Sequence, residues 1–214
     1  SSSSAASDVY KRQAEISTRF GEKTYRISMQ RVSLGEVVAK SEFLENSNRN
    51  ASLIAMYLYD DTELKSYIKK NEDNKLVVAL AYLDNYEEAL ESVEDVRRSL
   101  LIALIDRKIT KYFSNFDGLV KKLEKDKYFL IMRQSSLEAL KEQRFHILDE
   151  VKTVNIGNEM AITLSIGVGL NASTYIQNYE YSRIAIEMAL GRGGDQVVIK
   201  NGNCLLYTSP SPRD

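Results

Sequence analysis

The chain has 214 residues, 29 basic and 30 acidic side chains, a net charge of −1 and one cysteine. That balance offers no basic stripe, which argues against a nucleic-acid partner, and no apolar run of the length a membrane crossing needs. A single cysteine provides no disulfide framework.

Residues 25–32 (YRISMQRV) alternate apolar and polar side chains and predict a half-buried strand. Residues 52–59 (SLIAMYLY) predict a second, more apolar strand, and the polar stretch between, with Asn46, Asn48 and Asn50, predicts a loop. Residues 60–74 (DDTELKSYIKKNEDN) predict a charged linker helix with Asp60 or Asp61 as N-cap. A buried strand follows at 76–83 (LVVALAYL). Residues 96–113 predict a long helix with Val96, Leu100, Leu104, Ile105 and Ile109 as its apolar residues, then a hairpin over 118–123 and 128–133. Ser135-x-x-Glu138 has the form of a capping box and opens one helix carrying Leu137, Leu140, Phe145, Leu148 and Val151. A strand at 160–170, a helix at 179–190, a glycine turn and a last strand at 197–199 complete the order. From residue 76 this reads β-α-ββ-α-β-α-β, which predicts an α+β domain with a mixed sheet, of the ferredoxin-like or nucleotidyl-cyclase palm kind.

The two ends read differently. SSSSAASDVYKRQ (1–13) and CLLYTSPSPRD (204–214) resemble in-frame translations of the transposase-adapter DNA used in sequencing libraries. Such segments are set aside from fold reasoning. They hold Cys204, Pro210 and Pro212, so residues 14–203 have neither residue type. Absence of thiol chemistry fits a reducing compartment. The tails also hold Lys11, Arg12, Arg213, Asp8 and Asp214, and without them the net charge stays mildly negative. The expectation is a segment whose natural neighbours lie outside the chain on both sides.

LDNY (83–86), FHILDEVK (145–152), LSIGVG (164–169) and ALGRGGDQVVIK (189–200) together resemble the degenerate GGDEF domain of the GdpP-type cyclic-di-AMP phosphodiesterases. Several separate blocks over residues 76–200 are more specific than one short motif. The stretches FGEKTYRISMQRV (20–32) and SLIAMYLYDDTEL (52–64) resemble the closing strands of a PAS domain. The expected organisation is an adapter-like tail at 1–13, the C-terminal part of a PAS-like domain at 14–64, a linker helix at 65–75, a degenerate GGDEF domain at 76–203 and a second tail at 204–214. The resemblance implies a parent protein anchored at the cytoplasmic face of the cell membrane by N-terminal helices absent here. It implies a PAS domain able to bind haem and a DHH/DHHA1 domain, with Mn²⁺, that hydrolyses cyclic di-AMP to pApA. The segment itself is expected to be soluble.

Diguanylate-cyclase chemistry needs divalent metal held by carboxylates and cations on the phosphates. Residue by residue, the resemblance puts Tyr82 where an active member has its first metal-binding Asp, and Asp84 at the second acidic place. The guanine-reading positions fall at Leu90 and Ser99, and the Gly-Gly-Asp-Glu-Phe signature at Glu124-Lys125-Asp126-Lys127-Tyr128. The phosphate-binding cations fall at Leu190 and Gly194, and the Arg-x-x-Asp inhibitory pair at Asn115 and Gly118. Only Asp126 keeps its type, so the expectation is a domain unable to make cyclic di-GMP.

Asp84, Asp126, Arg192 and Asp195 are the candidate nucleotide-binding residues, with ATP or a cyclic dinucleotide as ligand. Gly191, Gly193 and Gly194 follow a helix, so a helix stop accounts for them better than a phosphate cradle. The Glu87, Glu88, Glu91, Glu94 and Asp95 cluster reads as a solvated face. His146, the only histidine, has no second His or Cys with which to share a metal. Three functions remain open at this stage. They are a regulatory segment coupling a PAS sensor to the phosphodiesterase, a weak metal-dependent ATPase using Asp84 or Asp126, and a free-standing dimerisation or adaptor domain. The expected partners are the parent's own PAS and DHH/DHHA1 domains and a second copy of the chain.

Overall fold

The computed structural model describes residues 13–33 and 52–208 and divides them at residues 70 and 71 into two compact units. The predicted loop containing Asn46, Asn48 and Asn50 lies outside the described residues, as do 1–12 and 209–214.

The first unit is a three-stranded antiparallel sheet in the order β1-β2-β3: β1 (Gln13–Phe20), β2 (Lys23–Ser33) and β3 (Ser52–Asp60). Strand β1 is not among the elements the sequence predicts; only its first residue, Gln13, falls within the adapter-like tail. Its pairing with β2 follows from a tight turn in which Gly21 takes φ +61°. Helix α1 (Thr62–Asn74) starts where expected, with Asp60 Oδ1 accepting from the Thr62 amide at 3.1 Å. The neighbouring Asp61 instead pairs with Arg26 at 2.9 Å. The sheet leaves Phe20, Ile54, Met56 and Leu58 largely exposed.

The second unit carries the core. Six strands lie in the order β5-β6-β4-β7-β8-β9: β4 (Leu76–Leu83), β5 (Leu119–Lys122), β6 (Lys127–Arg133), β7 (Leu164–Leu170), β8 (Val197–Asn201) and β9 (Cys204–Thr208). All neighbours are antiparallel except β7 and β8. This is the expected α+β palm with a mixed sheet. The helices are α2 (Tyr86–Glu91), α3 (Asp95–Ser114), α4 (Gln134–Glu142), α5 (Ile147–Lys152) and α6 (Tyr175–Gly191). Every residue of β7 is buried, which explains its continuous apolar-and-small sequence.

Several boundaries depart from the sequence reading for identifiable reasons. The single helix expected after residue 135 is two, because Arg144 and Phe145 adopt φ +51° and +49° and no helix continues through such residues. Ser135 lies inside α4 and makes no cap; the chain enters from Arg133 without a side-chain cap bond. The true cap is Thr174, which opens α6 four residues earlier than expected by accepting from the Gln177 amide at 3.1 Å. Residues 160–163 precede β7 rather than belonging to it. On α3 the buried residues are Leu101, Ile105, Ile109, Tyr112 and Phe113, while Val96 and Leu100 face solvent. At the helix start the buried stripe runs one position later than the sequence pattern predicts.

The segment after Asn203, set aside as adapter-like, forms β9 on β8. The Gly202-Asn203 turn between them is a two-residue hairpin loop with glycine first, at φ +55°. Leu205 covers Ala185, Ala189 and Val198, where α6 meets β8.

Buried tyrosines give this unit a pH signature. Burial raises the pKa of Tyr82, Tyr86, Tyr112 and Tyr128 above 10, most strongly for Tyr128, which also donates a hydrogen bond to Asp106. The unfolded chain then releases protons first, so stability falls as pH rises through about 10. Urea midpoints at about pH 9 and about pH 11 check this. The later one should be lower, with a smaller drop in Tyr128→Phe; equal midpoints would contradict it.

Candidate functional site

Strand β4 ends in a short sequence that places three side chains with distinct tasks. Tyr82 sits on β4 directly opposite Lys127 on β6. The Lys127 ammonium lies over the Tyr82 ring, 5.6 Å from its centroid, and is held by Glu124 Oε2 at 2.6 Å. The Glu124 hydrogen bond, assisted by the nearby carboxylates, raises the Lys127 pKa and keeps it cationic. At the two places where the resemblance puts acidic residues in an active cyclase, this chain therefore has a tyrosine and an ammonium in register with each other. An ammonium already occupies the neighbourhood in which a divalent cation would need carboxylates.

Asp84 turns the other way. Its Oδ2 accepts the Asp195 amide at 2.9 Å, and its own amide donates to Thr163 O at 3.0 Å. A methyl group on Gly194, which sits at φ +76°, would lie 2.7 Å from the Asp84 carboxyl. The glycine turn is thus shaped around that carboxylate. It is also a helix stop: Gly194 N–H bonds Ala189 O and Gly193 N–H bonds Leu190 O, each at 3.0 Å, with Gly193 at φ +101°. That pattern is a Schellman motif. Asp195 Oδ2 pairs with Lys152 on α5 at 2.6 Å, with side-chain exposures of 19% and 22%. Asn85 ties the same corner to the approach of β7 by accepting from the Thr163 amide and donating to Ala161 O.

Of the four candidate residues, Asp84 and Asp195 therefore come together, through a backbone amide and a turn. Arg192 stacks over Tyr207 on β9 at 4.4 Å. Asp126 contributes its carbonyl to the Leu83 amide at 2.9 Å. Among the described residues no group of three or more His, Cys, Asp or Glu side chains is arranged to hold a metal ion. The acidic residues Glu87, Glu88, Glu91, Glu94 and Asp95 are exposed, as is His146.

A cleft of about 630 Å³ opens between α2, α3 and the β5–β6 hairpin. Leu90 lines it where a guanine-reading side chain would stand, and Glu124 and Lys125 line it in place of the two glycines. Beneath it, Lys122 Nζ lies 2.8 Å from both oxygens of Asp106, which also accepts from the buried Tyr128 hydroxyl. Arg98, another lining residue, is spent on the carbonyls of Leu90 and Val93, each at 2.9 Å. Sequence reading missed Asp106, Lys122 and Lys152. The available signal for Asp106 was an isolated carboxylate beside Ile102, Ile105 and Ile109 on one helix.

Comparison with known proteins places the chain in a family. A family model described as "Cyclic-di-AMP phosphodiesterase GdpP-like, GGDEF domain" matches residues 81–204. The cyclic-di-AMP phosphodiesterase PdeA of Listeria monocytogenes is 37% identical over 145 residues, 68% of this chain and 22% of that protein. The cyclic-di-AMP phosphodiesterase GdpP of Geobacillus thermodenitrificans is 32% identical over 148 residues, 69% of this chain and 22% of its own length. The chain thus spans 22% of the length of these relatives. Among solved structures, the active GGEEF domain of a Vibrio cholerae diguanylate cyclase superposes with TM-score 0.50 at 13% identity, over 63% of this chain and 89% of that one. The Caulobacter crescentus DgcB GGDEF domain in complex with c-di-GMP gives TM-score 0.50 at 15% identity, over 65% and 84%. At that identity the likeness is one of fold.

Proposed function

The chain belongs to the GdpP-like GGDEF domain family of cyclic-di-AMP phosphodiesterases, and on that premise we propose that it is a regulatory, non-catalytic segment of such an enzyme. The parent hydrolyses cyclic di-AMP to pApA in a separate DHH/DHHA1 domain with Mn²⁺. It is held at the cytoplasmic face of the membrane by N-terminal helices and works as a homodimer. The GGDEF-like unit relays the state of an upstream PAS-like sensor, with haem as the sensor's cofactor. The exposed apolar side chains of the β1–β3 sheet fit strands whose remaining domain lies elsewhere in that protein.

The observation that carries this reading is the Tyr82–Lys127 pair. Metal-assisted nucleotidyl transfer requires carboxylates at that spot, and a neighbouring ammonium opposes the metal. Asp84 is engaged by the glycine turn. A domain that keeps its core and loses its reacting groups retains shape, which is what coupling requires; the substituted site rather than the fold licenses the conclusion.

The test is incubation of the chain with GTP or ATP in Mg²⁺ and in Mn²⁺, with product analysis. No cyclic dinucleotide is expected under any of the four conditions. Formation of one would overturn the reading. Metal-dependent ATP turnover abolished by Asp126→Asn would instead establish the ATPase alternative.

A further inference from the structure

The cleft between α2, α3 and the β5–β6 hairpin is lined by six charged side chains, and half of them are already satisfied by neighbours. Arg98 pairs with Asp95 at 3.0 Å in addition to its two carbonyls. Lys122 is held by Asp106, and Glu124 by Lys127. The side chains of Glu87, Glu91 and Lys125 make no ion pair or hydrogen bond among the described residues. Glu87 and Glu91 stand four residues apart on α2 and so share one face of it. Glu88, exposed on the same helix, adds a further carboxylate. The charge left free at the cleft is therefore predominantly anionic.

The walls are apolar. Leu90 and Ile102 are partly buried, and Leu123 on the hairpin is 52% exposed. Covering such a leucine removes apolar surface from water and favours association. The complement of this groove is an apolar side chain accompanied by a cation. A guanidinium suits paired carboxylates better than an ammonium, because its planar fork serves more than one acceptor. A polyphosphate would instead meet Glu87, Glu91 and Glu124 with like charge. The same substitutions that remove nucleotide chemistry thus build the groove: Leu90 in the guanine-reading place is a wall, and Glu124 in a glycine's place is a carboxylate.

We propose that this cleft is a docking groove for a basic segment of the parent phosphodiesterase, which inserts an apolar side chain against Leu90 and Leu123 and sets an adjacent arginine on Glu87 and Glu91. The identity of the partner rests on the regulatory reading, whereas the chemistry of the groove rests on the residues named. The solvated-face alternative predicts binding that depends on net charge alone.

Fluorescence anisotropy of a labelled Arg-Leu-Arg-Leu-Arg peptide, titrated with the full chain, decides between them. Binding is expected with Kd at or below about 1 mM. The Glu87→Gln/Glu91→Gln double variant should bind about tenfold more weakly. A Glu142→Gln/Glu187→Gln control removes the same charge from exposed positions of α4 and α6 and should change affinity less than about twofold. Leu123→Ser should weaken binding about threefold. A peptide with glutamate in place of each arginine should not bind. The proposal is overturned by no binding of the arginine peptide at about 1 mM, by equal losses in the two double variants, by unchanged affinity in a folded Leu123→Ser, or by binding of the glutamate peptide. In the parent, Glu87→Gln/Glu91→Gln should move cyclic-di-AMP hydrolysis in the same direction as removal of residues 76–203. A change on removal with none in the double variant would refute the groove and leave the regulatory reading standing.

Discussion

Replacing Gly169 by alanine is expected to lower folding stability by about 4 kcal/mol or more. A methyl group there would lie 2.0 Å from Asn178 O, 2.6 Å from Ser182 N and 2.8 Å from Tyr181 Cβ. Two of the three are helix backbone, which cannot swing away as a side-chain end can. Gly167 is in the same position, with Ile186 N at 2.3 Å and Ser182 O at 2.5 Å. The pair of glycines is why α6 can lie directly on β7. Pushing the helix off would open the packing of Ala185 and Ala189 on Val198, all fully buried. Urea denaturation of Gly169→Ala measures it. A loss below about 1 kcal/mol would mean that α6 does not pack this closely.

The second large effect separates a structural Asp84 from a metal-binding one. Asp84→Ala leaves the Asp195 amide without its acceptor and opens space beneath Gly194. The expected cost is about 2 kcal/mol, the usual penalty for a buried polar group stripped of a charged partner. Asp84→Asn keeps an oxygen able to accept from the same amide, so it should lose less than about 1 kcal/mol. A carboxylate whose task was metal binding would give the opposite pattern: little stability change in either variant without metal, and equal loss of metal-dependent thermal stabilisation in both. Thermal midpoints of the three proteins, with and without Mn²⁺, distinguish the cases.

Much of this fold was legible from periodicity. Strand β4, the β5–β6 hairpin and β8 are short apolar runs bounded by turn residues, and each lies close to its expected place. What was not legible depended on contacts distant in sequence. The break between α4 and α5 sits at Arg144 and Phe145, neither of which favours φ > 0. Nothing local announces it; Phe145 is buried, and tertiary packing holds the bend. The Ser135 capping box failed because the pattern also fits a helix interior, where Glu138 simply pairs with Lys141 at 2.7 Å. Strand β9 lies in the segment that reads as adapter-like, and the turn at Gly202 brings that segment onto β8.

The candidate site was legible as a set of substitutions and illegible as an arrangement. Tyr82 and Lys127 were each identifiable as replacements, but their opposition across β4 and β6 needs the register. Asp84 and Asp195 lie 111 residues apart, and only the fold shows one accepting from the other's amide. Lys152, which completes that corner through Asp195, comes from a third region of the chain. The corner joins β4, α5 and the turn after α6.

The most direct test of the regulatory reading uses the proposed parent phosphodiesterase, intact and with residues 76–203 cleanly excised. Cyclic-di-AMP hydrolysis is measured in both, with folding of the remaining domains confirmed by thermal melting. A coupling module sets the rate without performing the reaction, so hydrolysis should persist but change by about fivefold or more. An identical rate in the excised protein would contradict the account, because the domain would then have no influence on the activity it is proposed to govern.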